Sequence, residues 1–165
     1  MKLSHPTVYR APRSSWPVLP SDMEKVQTSV IMTPLSDMVF TFFTGGLERG
    51  SAYDIRVRPS DCSILFGGLA SISRLGLQVD SPTSLVHSIV TSTPRSDWPI
   101  ETRHTKVLET ILLMTTHGEL VLSFWTGGLK NGSVYSICIA QEDFPLVLIG
   151  IATVMGYRMP TSQAA

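Results

Sequence analysis

Phe42-Phe43-Thr44-Gly45-Gly46-Leu47, followed by Gly50-Ser51-Ala52-Tyr53-Asp54-Ile55, is the stretch on which the fold turns. The chain writes it again as Phe124-Trp125-Thr126-Gly127-Gly128-Leu129 and Gly132-Ser133-Val134-Tyr135-Ser136-Ile137. Equivalent residues stand 82 positions apart, as Thr44 to Thr126 and Tyr53 to Tyr135 show. Further out, Pro12-Arg13-Ser14-Ser15-Trp16-Pro17 returns at the same offset as Pro94-Arg95-Ser96-Asp97-Trp98-Pro99. A unit this long, present only twice, is not a solenoid repeat. It reads as an internal duplication: two repeats, about 1–82 and 83–165, built into one domain with pseudo-two-fold symmetry. At 165 residues the chain is long enough to bury a core of its own.

Within each repeat the pattern predicts four strands and then a helix. The first strand covers Thr7–Arg10 or Leu85–Thr91 and runs into the Pro-Arg-Ser-x-Trp-Pro segment, whose prolines lack the N–H a central ladder needs. The second covers Lys25–Thr33 or Lys106–Thr115, and the third Asp37–Thr44 or Glu119–Thr126. Pro34-Leu35-Ser36 and Thr116-His117-Gly118 join these as hairpins. The Gly-Gly pair ends the third strand in a turn that asks for positive φ. The fourth strand, Ser51–Arg58 or Ser133–Ala140, follows. Ser60-Asp61 and Glu142-Asp143 then offer N-cap oxygens, and Pro145 suits a first turn. Ile64, Leu65, Gly68, Leu69, Ile72 and Leu75 recur at helical spacing, whereas Phe144–Tyr157 is apolar nearly all round. A helix without a polar face is buried on several sides, between the halves or between subunits. The fold class that follows is α+β: a duplicated ββββα unit giving two antiparallel sheets packed together with two helices.

Strand alternation sorts the side chains into faces. Val30, Met32, Phe40, Phe42, Tyr53 and Ile55 share the apolar face in the first repeat, and Leu112, Met114, Leu122, Phe124, Tyr135 and Ile137 in the second. Phe43 and Trp125 point the other way, and in the first repeat Asp54, Arg56 and Arg58 lie beside them. These rings suit stacking platforms for unpaired bases, or equally a cover for the second face of the sheet. Arg56 and Arg58, helped by Arg13 and Arg95, suit phosphate contact, or an ordinary solvated face and a brace for the Trp-Pro turn. The candidate nucleic-acid-binding set is therefore Phe43, Trp125, Arg56, Arg58, Arg13 and Arg95.

Other classes find little support. Thr-Gly-Gly-Leu precedes no helix and has no following Lys-Ser/Thr, so it is no P-loop. His5, His87, His104 and His117 make no cluster with acids, serines or cysteines along the chain, so neither a catalytic nor a metal constellation is expected, nor any cofactor. Cys62 and Cys138 form no metal spacing and read as unpaired thiols of a reducing, cytoplasmic compartment (the host's, if the protein is viral). Formal net charge is zero, so no global field gathers nucleic acid or anionic membrane, and such a partner needs a local patch. The most apolar run, 145–155, is too short for a bilayer.

The tandem four-strands-plus-helix layout resembles the Whirly family over almost the whole chain, and more distantly the PC4-like and PUR-repeat proteins. That resemblance implies antiparallel sheets packed across each other, helices that mediate subunit association, and single-stranded DNA or RNA bound along the sheets. It is one of topology, so no binding residue carries over by motif. The compact chain suits a viral or phage protein of this kind. The expectation is a non-enzymatic, homo-oligomeric protein binding single-stranded RNA or DNA, without membrane or small-molecule partner. The alternative is a scaffold of a virion or other assembly that binds no nucleic acid.

Overall fold

The computed structural model describes residues 1–15, 20–75, 83–98, 105–116 and 118–157. Trp16, Pro17, Pro99, His104 and His117, all singled out in the sequence, lie outside the described residues. The first half runs β1 (Thr7–Pro12), β2 (Glu24–Val26), β3 (Val30–Pro34), β4 (Met38–Thr44), β5 (Ser51–Val57) and α1 (Pro59–Ala70). After β6 (Thr83–Ser84), the second half runs β7 (Ile89–Pro94), β8 (Lys106–Val107), β9 (Leu112–Thr116), β10 (Leu120–Thr126), β11 (Ser133–Ile139) and α2 (Phe144–Val154). β3, β4 and β5 recur 82 positions on as β9, β10 and β11 with identical limits.

Both sheets are antiparallel, and each draws on both halves. Sheet I has the order β3-β4-β5-β7-β8, and sheet II the order β2-β1-β11-β10-β9-β6. β1 thus leaves its own half and pairs with β11, placing Thr7 opposite Cys138. β7 returns the exchange by pairing with β5, placing Ile89 opposite Arg56. The two ladders are equivalent residue for residue at the 82-position offset. Even the edge matches: Lys2 bridges Ile31 in sheet I, and Ser84 pairs with Leu113 in sheet II.

The structure corrects the sequence reading at three of the expected strands. The expected strand Lys25–Thr33 is two strands, because Glu24–Val26 pairs with β1 in sheet II and Val30–Pro34 pairs with β4 in sheet I. The two ends pair in different sheets, and polar Gln27-Thr28-Ser29 between them makes the crossing. Thr28 donates its hydroxyl to the Phe43 carbonyl, and the Phe43 N–H donates to Ser29 O at 3.3 Å. Lys106–Thr115 divides likewise into β8 and β9. The strand expected at Leu85–Thr91 instead begins at Ile89.

The helices cross over as well. A Cβ on Gly68 of α1 would sit 2.9 Å from Met114 Cε of β9, and one on Gly150 of α2 would sit 3.0 Å from Met32 Cε of β3. Each helix thus lies on the other half's sheet, pressed close enough that its glycine faces a methionine. The expected N-caps are corrected too. α1 is preceded by Arg58, has Pro59 in its first turn and has no side-chain cap, and α2 has none either. The two aspartates instead reach across the halves. Asp143 accepts the N–H groups of Ser4 and His5, both at 2.8 Å, where the chain leads into β1. Asp61 accepts the His87 N–H at 2.9 Å and the Ser88 hydroxyl at 2.8 Å, where it leads into β7. His5 and His87, taken in the sequence as scattered, stand at the 82-position offset and are equivalent residues of this lock.

One core of buried side chains joins the halves, with Phe40, Phe42, Ile55, Leu120, Leu122, Phe124 and Ile137 fully buried. At its centre equivalent residues meet. Phe42 stacks on Tyr53 at 4.9 Å and 13°, and Phe124 stacks on Tyr135 at 5.2 Å and 13°. The Tyr53 and Tyr135 hydroxyls lie 3.4 Å apart, which puts the approximate two-fold axis between them. Burial, and then the neighbouring Tyr135 hydroxyl, push the Tyr53 phenol well above its ordinary range.

Candidate functional site

The Gly-Gly turns are where the expected site residues converge. Gly45 and Gly127 take φ of 66° and 65°, as a turn demanding positive φ requires. The loop then folds back so tightly that a Cβ on Gly50 would lie 2.1 Å from Thr44 O. Across the interface between halves, Arg95 donates its Nη1 to Gly45 O and its backbone N–H to Gly50 O at 2.9 Å. Arg13 does the same to Gly127 O and, at 3.0 Å, to Gly132 O. Both guanidinium groups therefore brace the loop of the opposite half.

Phe43 and Trp125 lie on the outer faces of different sheets, and each is buried to within a tenth of its surface. Phe43 has its face 5.2 Å from the Arg95 guanidinium carbon and meets Trp98 edge-on at 4.9 Å. In the chain alone neither ring is an open platform. Phe43 is covered by Trp98 and Arg95. Arg58 is exposed and stands just beyond β5, at the start of α1 rather than on the strand.

Arg56 is placed differently. On the outer face of sheet I, β4 and β5 set Thr41 opposite Asp54 and Val39 opposite Arg56. Thr41 Oγ1 donates to Asp54 Oδ1 at 2.7 Å. Beside this pair opens a cleft of about 330 Å³ whose lining includes Val39, Asp37, Arg56 and Trp98. Arg56 is half-buried, its Nε is closed off from solvent, and it has no hydrogen-bond or ion-pair partner among the described residues. A second cleft contains Arg10, but that guanidinium is held by Glu24 at 2.9 Å, which also raises its pKa.

At the equivalent place on sheet II, Ser123 and Ser136 share a hydrogen bond of 2.9 Å, and Cys138 replaces Arg56. Burial, and then the nearby Glu119 carboxylate, push the Cys138 thiol up to about 12. Cys62 rises to about 11 through burial beside Asp61 and Asp37. Both thiols are unpaired, buried and protonated at neutral pH.

A third surface lies over the helices, which pack against each other. Between them runs an apolar groove of about 440 Å³ lined by Phe66, Leu148, Ile151, Ala152, Met155 and Tyr157, with Ser63. Phe66, Ile149, Met155 and Tyr157 are exposed. No charged residue occurs between 144 and 157, and the one acid in α1, Asp61, is buried.

No family model matches this chain, and no curated protein or solved structure matches it either. Among the described residues no group of three His, Cys, Asp or Glu could hold a metal, and no helix is long and apolar enough to cross a membrane. Of the six expected site residues, Phe43, Arg95 and Arg56 belong to the outer face of sheet I and its rim. Trp125 and Arg13 belong to the equivalent region of sheet II. The sequence reading left out Trp98, which walls the cleft, and gave no role to Asp54. The signal for Asp54 lay in comparing the halves, where Asp54 and Arg56 stand against Ser136 and Cys138.

Proposed function

We propose that this protein is a non-enzymatic, self-associating protein whose copies join through the helix face. The observation that carries this reading is the pair of equivalent helices, side by side, exposing an apolar groove with no exposed charge. A solvent-facing helix pair ordinarily carries charge on its open side, and a contiguous apolar surface marks an interface. An isologous contact uses the same patch on both partners, and a continuous apolar groove can meet its own copy in this way. We read the 82-residue repeat as an internal duplication and the layout as Whirly-like, with helices toward the oligomer centre and sheet faces outward. This supports a scaffold role in an assembly, viral or otherwise.

Phe66→Glu and Tyr157→Glu place a charge on the exposed wall of the groove without touching the core. By light scattering on size-exclusion fractions, the wild type is expected to be a dimer or larger. The variants should be monomers with unchanged circular dichroism and melting temperature. A wild type that stays monomeric at 100 µM or so, well above the ordinary micromolar range of specific contacts, would refute the reading.

One observation favours a second activity on the same scaffold, binding of single-stranded RNA or DNA. Arg56 and Arg58 are not engaged in bracing as Arg13 and Arg95 are, and Arg56 shares its cleft with an indole. Binding of short fluorescent oligonucleotides across a salt series tests it, since phosphate contacts weaken steadily as salt rises. No binding at the lowest salt removes this activity and leaves the assembly reading in place.

A further inference from the structure

The cleft on the outer face of sheet I has a chemistry that phosphate does not fit. Two carboxylates, Asp37 and Asp54, line it with one guanidinium, so its own charge is negative and an anion entering it is repelled. A lysine or arginine side chain would satisfy the carboxylates, but it brings no acceptor for the Arg56 guanidinium that lines the cleft with them. The occupant must offer donors to Asp54 and acceptors to Arg56 along one edge, and a flat face to Trp98. Asp54 Oδ1 already accepts from Thr41, yet each carboxylate oxygen has a second lone pair, so both still accept.

The second half is a control supplied by the protein itself. The same positions on sheet II hold Ser136, bonded to Ser123, and Cys138, both buried. The scaffold therefore closes without a charged pair. Asp54 and Arg56 are not needed by the architecture, and a half-buried guanidinium with no partner among the described residues costs stability rather than adding it.

We infer that this cleft binds a single guanine base, with its N1–H and N2–H₂ donating to Asp54, its O6 and N7 facing Arg56, and its ring against Trp98. Arginine pairs with the O6/N7 edge of guanine, and aromatic side chains stack on unpaired bases. At about 330 Å³ the cleft stands at the small end of ligand sites, room for a nucleoside rather than an oligonucleotide. Arg56 thus becomes a base contact rather than a phosphate contact. The guanine arrives either as a free nucleoside or as one base of a strand. The strand form rests on the nucleic-acid reading above; the free form does not.

The test uses the full chain and four probes: fluorescein-labelled U7, U7 with a central guanosine, U7 with a central inosine, and unlabelled guanosine followed by tryptophan fluorescence. The guanosine strand is expected to bind roughly tenfold more tightly than U7, and inosine, lacking the 2-amino group, to lose most of that gain. Asp54→Asn should abolish the preference while leaving the salt-dependent binding of U7 intact. Because Asp54 anchors Thr41, the double variant D54S/R56C, which copies Ser136 and Cys138, gives a second form that the scaffold accommodates. It too should bind U7 without preference. Equal binding of all three strands by the wild type, or a preference that survives in both variants, overturns the base pocket even if strands bind. Failure of every strand at low salt, with saturable guanosine quenching lost in D54S/R56C, overturns the strand reading and upholds the pocket. Failure of both strands and guanosine overturns both.

Discussion

Gly50 and Gly46 lie four residues apart in one loop, and the fold treats them differently. A Cβ at Gly50 would collide with the carbonyl oxygens of Thr44 and Gly46, whereas one at Gly46 meets nothing within 4 Å. Gly50→Ala is therefore expected to destabilise by at least about 2 kcal/mol and Gly46→Ala by less than about 0.5 kcal/mol. Thermal melts should separate them by several degrees, at roughly 2–4 °C per kcal/mol for a chain of this size. Gly132 and Gly128 should repeat the contrast. The thiols make a second prediction. In the unfolded chain both ionise near pH 8.5, but in the folded protein they are raised to about 11 and about 12. A raised folded pKa contributes stability that is whole below about pH 8.5 and is lost as pH climbs toward the folded values. The melting temperature should fall above that point, and less steeply in Cys138→Ala. Ellman's reagent at pH 8 should find two thiols in denaturant and almost none in the native protein. At this scale much was legible beforehand. Gly45 and Gly127 were expected at positive φ, and their turns have it. Asp54 carried only the weak signal of differing from Ser136 in the other half, because a carboxylate on a strand looks solvated until the structure shows a wall such as Trp98 beside it.

Among the elements, β4, β5 and their equivalents were readable because alternation on a half-buried strand is a local signal. β2 and β3 were not, since nothing in Lys25–Thr33 tells which sheet claims each end. The same holds for Asp61 and Asp143: an acid at the start of a helix reads as a cap, and only tertiary placement reveals that its partners are backbone N–H groups 138–139 or 26 residues away. These bonds fasten the entrance of each first strand. Asp143→Ala should leave the N–H groups of Ser4 and His5 unsatisfied at about 1–3 kcal/mol for each one that stays buried. Asp143→Asn, which keeps one acceptor, should cost less. Urea denaturation measures the difference, and Asp61 should show the same ranking. A cost confined to the alanine variants would mean that one accepting oxygen suffices for the lock.

At the scale of the molecule, β1 and β7 each complete the other half's sheet, each helix covers the other half's sheet, and one core joins them. Unfolding should be a single transition, with calorimetric and van't Hoff enthalpies equal. Two separated transitions would contradict that unity. The oligomer that we propose would add a second, intermolecular two-fold relation to the one already held within the chain. The strand exchange also bears on how the molecule withstands being cut. A protease site inserted between Leu75 and Thr83 severs the sole covalent thread from one half to the other, since the cysteines form no disulfide. Yet the two pieces are clasped rather than merely adjacent: for either to depart, the β1–β11 and β5–β7 ladders, one in each sheet, must both part and the shared core must open. The nicked protein should run as one species on a native gel, survive dilution to nanomolar concentration for hours, and come apart only at the rate at which it unfolds.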